Sequence, residues 1–343
     1  MEILDQTELP RRVVRRTLRS ADAVTEAIYA LRVRGAPLIG IAGAYGAVLA
    51  WREIAGCTSE RRRGGAWKDA LRALATSRPT AVNLRFTIQR MGAVVGPLLK
   101  SGASAGEIGA RLEAEARCIE EEEAARCRRI GAFGAALVPA RARVFTLCNT
   151  GGLATGGVGT ALGVIRAAFA QGKVAQVWVA ETRPLLQGSR LTAFELGTLG
   201  VPYRIIADAA VGALFAQEMV DLIVVGADRI ASNGDFANKI GTLPVFVLAE
   251  TYRVPAYVAA PVTTFDAETR DGTAIPIEKR PEDEVLEVHG QRVAPEGARA
   301  FNPAFDVTPA RYVTAYITDA GVFTRLTLRR LRKEREPRDQ REE

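Results

Sequence analysis

The chain has 343 residues, 48% hydrophobic and 25% charged, an ordinary balance for a globular protein of one large domain or two smaller ones. Its net charge of +7 arises from 46 bases scattered among 39 acids, without an aromatic-interleaved basic stretch; a phosphorylated ligand fits this balance, and nucleic acid is not expected as a partner. No apolar run reaches the ~20 residues that cross a bilayer, and the first fifteen residues lack the apolar core of a signal peptide, so a cytoplasmic location without a membrane partner is expected.

In chain order, residues 20–55 read as helix, with Ser20 or Asp22 as cap and Val24, Ile28 and Leu31 on the apolar face. Arg34-Gly35-Ala36-Pro37 interrupts it, because Pro37 pushes Ala36 out of helical geometry. The small-residue helix that follows carries Gly40, Gly43 and Gly46, which admit the close approach of another backbone. Residues 56–66 read as a polar loop, 67–76 as helix and 77–84 as a turn leading into a helix. A long charged helix is expected over 103–136, with Glu120–Glu123 as a solvated face.

After Pro139 short apolar runs alternate with helical stretches. The strands are expected at 143–147, 176–180, 203–207, 222–226 and 256–260, and the helices at 153–170, 189–199, 210–218 and 237–252. Such alternation predicts an α/β fold with a doubly wound, Rossmann-like parallel sheet. The expected organisation is a mainly helical N-terminal domain over 1–139, the α/β catalytic domain over 140–330, and a charged tail over 331–343.

Ligands of such sheets sit at the carboxyl ends of the strands. The residues placed there are Cys148, Glu181, Asp208, Asp228 and Pro261. If the strands ending in Cys148 and Asp228 share a parallel sheet, thiol and carboxylate meet at one edge. The single histidine, His289, lies in a polar segment and reads as a loop residue, so chemistry falls to thiol, carboxylate, Lys or Arg. Cys57, Cys118, Cys127 and Cys148 show no C-x-x-C spacing, which speaks against structural zinc and a disulfide framework.

Two readings compete for the glycine-rich run after Cys148. GVGTALG at 157–163, with Glu181 ending the next strand, approximates a dinucleotide fingerprint. Alternatively Gly156, Gly157, Gly159 and Gly163 let a helix pack closely on the sheet. Further along, Asp228, Arg229, Asn233, Asp235, Asn238 and Lys239 crowd one connection, with Asn238-Lys239 expected just inside a helix where N–H groups and ammonium meet a phosphate. Arg34-Gly35-Ala36, Arg78 and Gln187, each on a turn before a helix, are candidates for the same role.

Together VRGAPLIGIAGAYG, RPTAVNL, CNTGGLATGGVGTALGVIRAA, ETRPLLQGSRLTAFEL, VDLIVVGADRIASNGDFANKIGT and FNPAFDVTP resemble, in order, the motifs of the 5-methylthioribose-1-phosphate isomerases. The wider superfamily includes ribose-1,5-bisphosphate isomerase and the regulatory subunits of the exchange factor for eukaryotic initiation factor 2. The resemblance implies an aldose–ketose isomerase of methionine salvage acting on a small phosphorylated sugar. It implies Cys148 and Asp228 as catalytic residues, and Arg34, Gly35, Ala36, Arg78, Gln187, Asn238 and Lys239 as substrate-binding residues. A homodimer without metal or organic cofactor follows by the same route. Two positions depart from the family pattern: Leu147 stands where His is common, and Thr150 where Ala is common. The rival functions are a different sugar-phosphate isomerase, a non-catalytic regulatory subunit and a dehydrogenase.

Overall fold

The computed structural model describes residues 1–57, 59–78, 82–288 and 290–328; His289, Pro79–Ala81 and the charged tail lie outside these. The first compact unit comprises Met1–Ala125 with Gly152–Gly157. It opens with an antiparallel pair, β1 (Glu2–Leu4) and β2 (Arg15–Thr17). Helices α1 (Ala21–Tyr29), α2 (Ala36–Ile54), α3 (Glu60–Thr76) and α4 (Val82–Lys100) follow, then α5 (Ala105–Ala135), whose last ten residues group with the second unit. Ser20 caps α1, its hydroxyl accepting the Ala23 N–H at 3.1 Å. Helix α2 is the apolar centre of this unit. A β-carbon at Gly43 would stand 2.6 Å from Leu84 Cδ1, and one at Gly46 2.8 Å from Leu74 Cδ2, so the glycines set how closely α3 and α4 approach.

Two expectations are corrected in this unit. Helix α3 starts at Glu60, not 67: Ser59 accepts the Arg62 N–H, and Gly64 and Gly65 sit in the helix facing open space. The acidic run on α5 is not simply a solvated face. Glu123 is 5% exposed, Glu122 binds Arg90 at 2.8 Å, and Glu120 accepts from Tyr45.

The second unit comprises Arg126–Gly151 and the chain from Val158 onward. Its strands are β3 (Ala142–Thr146), β4 (Val174–Ala180), β5 (Tyr203–Ile206), β6 (Leu222–Val225), β7 (Arg229–Ala231), β8 (Phe236–Lys239), β9 (Ala256–Ala259), β10 (Phe265–Asp266), β11 (Glu287–Val288), β12 (Gln291–Arg292), β13 (Phe305–Thr308), β14 (Ala315–Thr318) and β15 (Gly321–Phe323). After α6 (Gly152–Thr155) in the first unit come α7 (Ala161–Ala170), α8 (Ala193–Thr198), α9 (Val211–Ala216), α10 (Thr242–Tyr252) and α11 (Asp283–Leu286).

Among the described residues the main sheet has the order β15-β14-β9-β6-β3-β4-β5, parallel except for the β15 edge. The architecture is α/β, with a helical N-terminal region and a mostly parallel sheet in the C-terminal part. Central strands are buried on both faces over most of their length, which is why β6 reads as an unbroken apolar run and β3 is apolar at its middle. Val144, Phe145, Ile223 and Val224 are each 0% exposed. From β3 the chain builds outward through β4 and β5, then lays β6 on the other side of β3 and continues to β9 and β14. The direction of winding therefore reverses between β3 and β6, where open α/β sheets bind their ligands.

Three local expectations fail here. The helix expected over 153–170 is broken: α6 stops at Thr155 and α7 begins at Ala161. Gly156 (φ +73°) and Gly159 (φ +94°) supply the left-handed backbone between them, and a β-carbon at Gly159 would lie 2.6 Å from the Thr150 carbonyl oxygen. The glycine run thus serves a turn more than helix–sheet packing. The stretch 189–199 begins as a π-helical turn, Gly188–Thr192, before α8. Residues 236–239 form a strand, β8, instead of the start of a helix. β8 pairs with β7 and β13 in a second sheet of order β10-β7-β8-β13, and α10 starts only after Gly241 (φ +99°). Among the described residues no helix is long and apolar enough to cross a membrane.

Candidate active site

The β3 strand delivers Leu147 and Cys148, 3% and 9% exposed, to the carboxyl edge of the sheet. Cys148 has φ +59°, a left-handed conformation that costs a non-glycine residue roughly 1–3 kcal/mol. Hydrogen bonds on both sides hold it there. Its N–H donates to Thr182 Oγ1 at 2.9 Å, and its carbonyl accepts from Thr192 Oγ1 at 2.6 Å. Thr182 follows β4 by two residues, is itself left-handed (φ +66°), and donates its hydroxyl to the Ala180 carbonyl at 2.9 Å. Asp208, just past β5, accepts the Thr182 and Arg183 N–H groups at 2.8 and 2.7 Å. Beside the thiol, Asn149 Nδ2 donates to Glu195 Oε1 at 2.8 Å and to Thr192 Oγ1 at 3.2 Å. Gly151 lies directly on the Glu195 carboxylate, where a β-carbon has no room. The ends of β3, β4 and β5 are thereby wired together around Cys148.

Asp228 lies three residues beyond β6, half-buried, its N–H donating to the Ala237 carbonyl at 2.9 Å. β3 and β6 are parallel neighbours with Phe145 opposite Ile223, a register that puts Cys148 level with Gly226. The loops beyond the two strands touch: the Thr150 methyl occupies the space beside Gly226, 2.5 Å from where a β-carbon would be. Thiol and carboxylate thus follow adjacent strands at the winding reversal. Ile223, Val224, Val225 and Ile230, the apolar residues flanking Asp228 in sequence, are all buried.

Gln187, 6% exposed, leads into the π-helical turn; Gly188 runs so close to the Ala180 carbonyl that no β-carbon fits. The Gln187 Oε1 is buried and makes no hydrogen bond among the described residues, an acceptor available to a ligand hydroxyl. Asn238 and Lys239 stand on β8, not in a helix, and are 3% and 9% exposed. Asn238 Nδ2 donates to Thr242 Oγ1 at 2.9 Å, and Lys239 Nζ lies 4.8 Å from the Phe305 ring centroid.

The remaining candidates belong to the first unit. Arg34 donates from Nε to Gln6 Oε1 at 3.2 Å, and Gln6 in turn donates to the Leu153 carbonyl at 2.6 Å. Gly35 (φ +100°) is the N-cap of α2, and Ala36 is that helix's first residue. A β-carbon at Gly35 would stand 2.5 Å from the Ala154 carbonyl oxygen. Arg78 is half-buried just after α3; Pro79–Ala81 of its motif lie outside the described residues, and Val82–Leu84 begin α4.

Among the strand-end residues Asp208 proves to be a cap for the 182–183 turn. Thr182, Thr192, Glu195 and Asp306 lie within the motifs quoted above, but sequence reasoning does not single them out. Thr182 and Thr192 act through backbone partners 34 and 44 residues away, and no local pattern marks such a contact. Asp306 is set into the first turn of α10, its Oδ2 accepting from Gly241 and Leu243 N–H. Burial pushes its carboxyl up to about 6, against the backbone N–H groups that favour the charge.

Residues 32–325 match the initiation factor 2 subunit family. The chain is 50% identical over 329 residues to a methylthioribose-1-phosphate isomerase from Thioalkalivibrio sulfidiphilus, covering 95% of this chain and 91% of that one. The crystal structure of 5-methylthioribose 1-phosphate isomerase from Pyrococcus horikoshii superposes with a TM-score of 0.89 at 38% identity, covering 97% and 92% of the two chains. A protein described as translation initiation factor eIF-2B, subunit delta, from A. fulgidus superposes with a TM-score of 0.85 at 41% identity, covering 97% and 96%.

Proposed function

The chain belongs to the methylthioribose-1-phosphate isomerases within the initiation factor 2 subunit family, enzymes of methionine salvage, and on that premise we propose that Cys148 and Asp228 carry the isomerisation. The observation that supports this most is topological: the two residues follow the adjacent parallel strands β3 and β6 that flank the reversal of winding.

The substrate sets the chemical problem. A sugar 1-phosphate is locked as a ring, because its anomeric oxygen is esterified, and offers no free aldehyde to enolise. Protonated Asp228 gives its proton to the ring oxygen as the bond from C1 to that oxygen breaks. Cys148, as thiolate, removes the proton from C2, leaving an enol between C1 and C2. The thiol returns that proton to C1, and the C2 hydroxyl proton passes to Asp228 as the ketone forms. Both groups end as they began, which general acid–base catalysis requires. Deuterium from solvent entering C1 of the product, through exchange at the thiol before the proton is returned, supports this proton route over a direct hydride shift.

Gln187, Asn238 and Lys239 of the second unit, and Arg34, Gly35, Ala36 and Arg78 of the first, are proposed to bind substrate. Gln187 Oε1 suits a sugar hydroxyl, and Lys239 supplies a cation for the phosphate. A cytoplasmic homodimer is part of the same reading, and sedimentation at varied concentration checks the dimer. A purely regulatory role would leave the thiol and carboxylate without a task. The functional test is turnover of 5-methylthioribose 1-phosphate against ribose 1,5-bisphosphate by wild type, Cys148→Ser and Asp228→Asn. The reading expects preference for the methylthio sugar and losses of at least about a hundredfold in kcat for both variants. Undiminished turnover in either variant removes that residue from the mechanism.

A further inference from the structure

The small sheet carries a titratable side chain that the reaction scheme leaves unused. Asp306 on β13 stands directly opposite Asn238 on β8, so both side chains leave the same face of an antiparallel pair, with β-carbons ~5 Å apart. Its Oδ2 accepts two N–H groups of the α10 start, from Gly241 at 2.8 Å and Leu243 at 3.1 Å. The same turn is tied to the neighbouring strand: Asn238 donates to Thr242 Oγ1, and Thr242 Oγ1 donates to the Lys239 carbonyl at 2.6 Å. Asp306, Asn238 and Thr242 therefore form one cluster around the left-handed Gly241. Oδ1 of Asp306 is buried and makes no hydrogen bond among the described residues.

We propose that Asp306 is a positioning residue for the isomerase site, its charged carboxylate clamping the 239–243 turn so that Asn238 and Lys239 are held for the substrate; this rests on their assignment to substrate binding. A carboxylate receiving two backbone N–H groups makes charge-assisted bonds, about twice as strong as those to a neutral acid. Burial raises the carboxyl to about 6, so the clamp is charged above that pH and neutral below it. The proton then lands on Oδ1, and the two bonds to Oδ2 lose their charge assistance. Of the elements packed on β13, β8 carries Lys239, whose ammonium lies against Phe305 on the other face. α10 has Glu250 and Tyr252 only at its far end, and the Gly272–Ala274 turn has no ionisable side chain. Burial and backbone N–H groups, rather than a charged neighbour, are what set the Asp306 carboxyl.

The test is KM and kcat from pH 5 to 8 for wild type, Asp306→Asn, Asp306→Ala, Asn238→Ala and Lys239→Ala, with melting curves to confirm folding. Asp306→Ala is expected to raise KM on the order of tenfold while kcat changes far less, because the loss is in binding. Asp306→Asn keeps an acceptor for the turn but cannot titrate. The substrate phosphate titrates near pH 6 in every variant, so the readout is the difference between profiles. KM of wild type should rise more steeply than that of Asp306→Asn as pH falls through about 6. Wild-type KM in Asp306→Ala, or superimposable profiles for wild type and Asp306→Asn, overturns the inference while elevated KM in Asn238→Ala and Lys239→Ala preserves the site reading. Unchanged KM in both of those variants overturns the assignment itself, and the inference with it.

Discussion

Thr182→Val removes one oxygen from beneath the proposed catalytic thiol and little else. The side chain is 1% exposed, and valine keeps its volume and its β-branching, so the strain at φ +66° is unchanged. Lost are the acceptor for the Cys148 N–H and the donor to the Ala180 carbonyl. A buried polar group left without its partner costs about 1–3 kcal/mol, so the pair represents roughly 2–4 kcal/mol after partial relaxation. Relaxation has an obvious route. Cys148 is held left-handed against a bias of about 1–3 kcal/mol, and losing one of its two anchors lets the peptide rotate, carrying the thiol with it. A mispositioning penalty of ~1.4–2.8 kcal/mol corresponds to ten- to a hundredfold in kcat. Steady-state kinetics and thermal melts are the assays, with Thr182→Ser as the control that keeps the hydroxyl. Valine should lower both kcat and Tm, and serine should restore most of both. Wild-type kcat and Tm in Thr182→Val would refute the idea that this network holds Cys148 in place.

Asp306→Asn should stabilise the protein at neutral pH even as it loosens the site. The folded carboxyl lies at about 6, above its ordinary 3.8, so its stabilising contribution is complete below pH 3.8 and lost as pH rises through 6. Above pH 7 the ionised group disfavours the fold by on the order of 2–3 kcal/mol, and asparagine escapes this at the cost of weaker bonds to the turn. Its Tm advantage over wild type should therefore shrink as pH falls toward 4. Gly226→Ala forces a methyl group onto that of Thr150 and should cost about 1–3 kcal/mol, measured by denaturant melts. Thr150→Ala in the same chain should recover most of that loss, since the clash involves the Thr150 methyl; additive losses in the double variant would contradict the packing described for these loops.

The parts of this molecule that could be read in sequence are those decided locally. The run 222–226 has no polar side chain and 143–147 is apolar at Val144, Phe145 and Leu147, because β6 and the inner part of β3 are buried on both faces, and their ends mark Cys148 and Asp228 directly. Gly43 and Gly46 announced a close approach because a helix has few other uses for repeated glycine. What escaped was decided at a distance. FANK at 236–239 shows no strand alternation; β7 pairs with its first two residues, and residues 305–308, almost seventy positions away, pair with all four. Gly64 and Gly65 suggested a loop, yet Ser59 caps a helix that passes through them. Nothing in their local sequence gives Thr182 and Asp306 their roles, since each acts on backbone N–H groups brought to it by the fold. Leu147, the departure from the family pattern, is buried in the core beside Gly241, a β-carbon there lying 3.8 Å from its Cδ1. Apolar packing thus lies directly beside the thiol.

The measurement that bears most directly on the central claim is a crystal structure of Asp228→Asn with 5-methylthioribose 1-phosphate bound and unreacted. The account predicts the sugar at the carboxyl ends of β3 and β6, with Cys148 Sγ within about 3–3.5 Å of the reacting carbons and the residue-228 side chain at hydrogen-bond distance from the ring oxygen. A sugar bound elsewhere on the protein, or one whose C1 and C2 are beyond reach of Cys148, would contradict it.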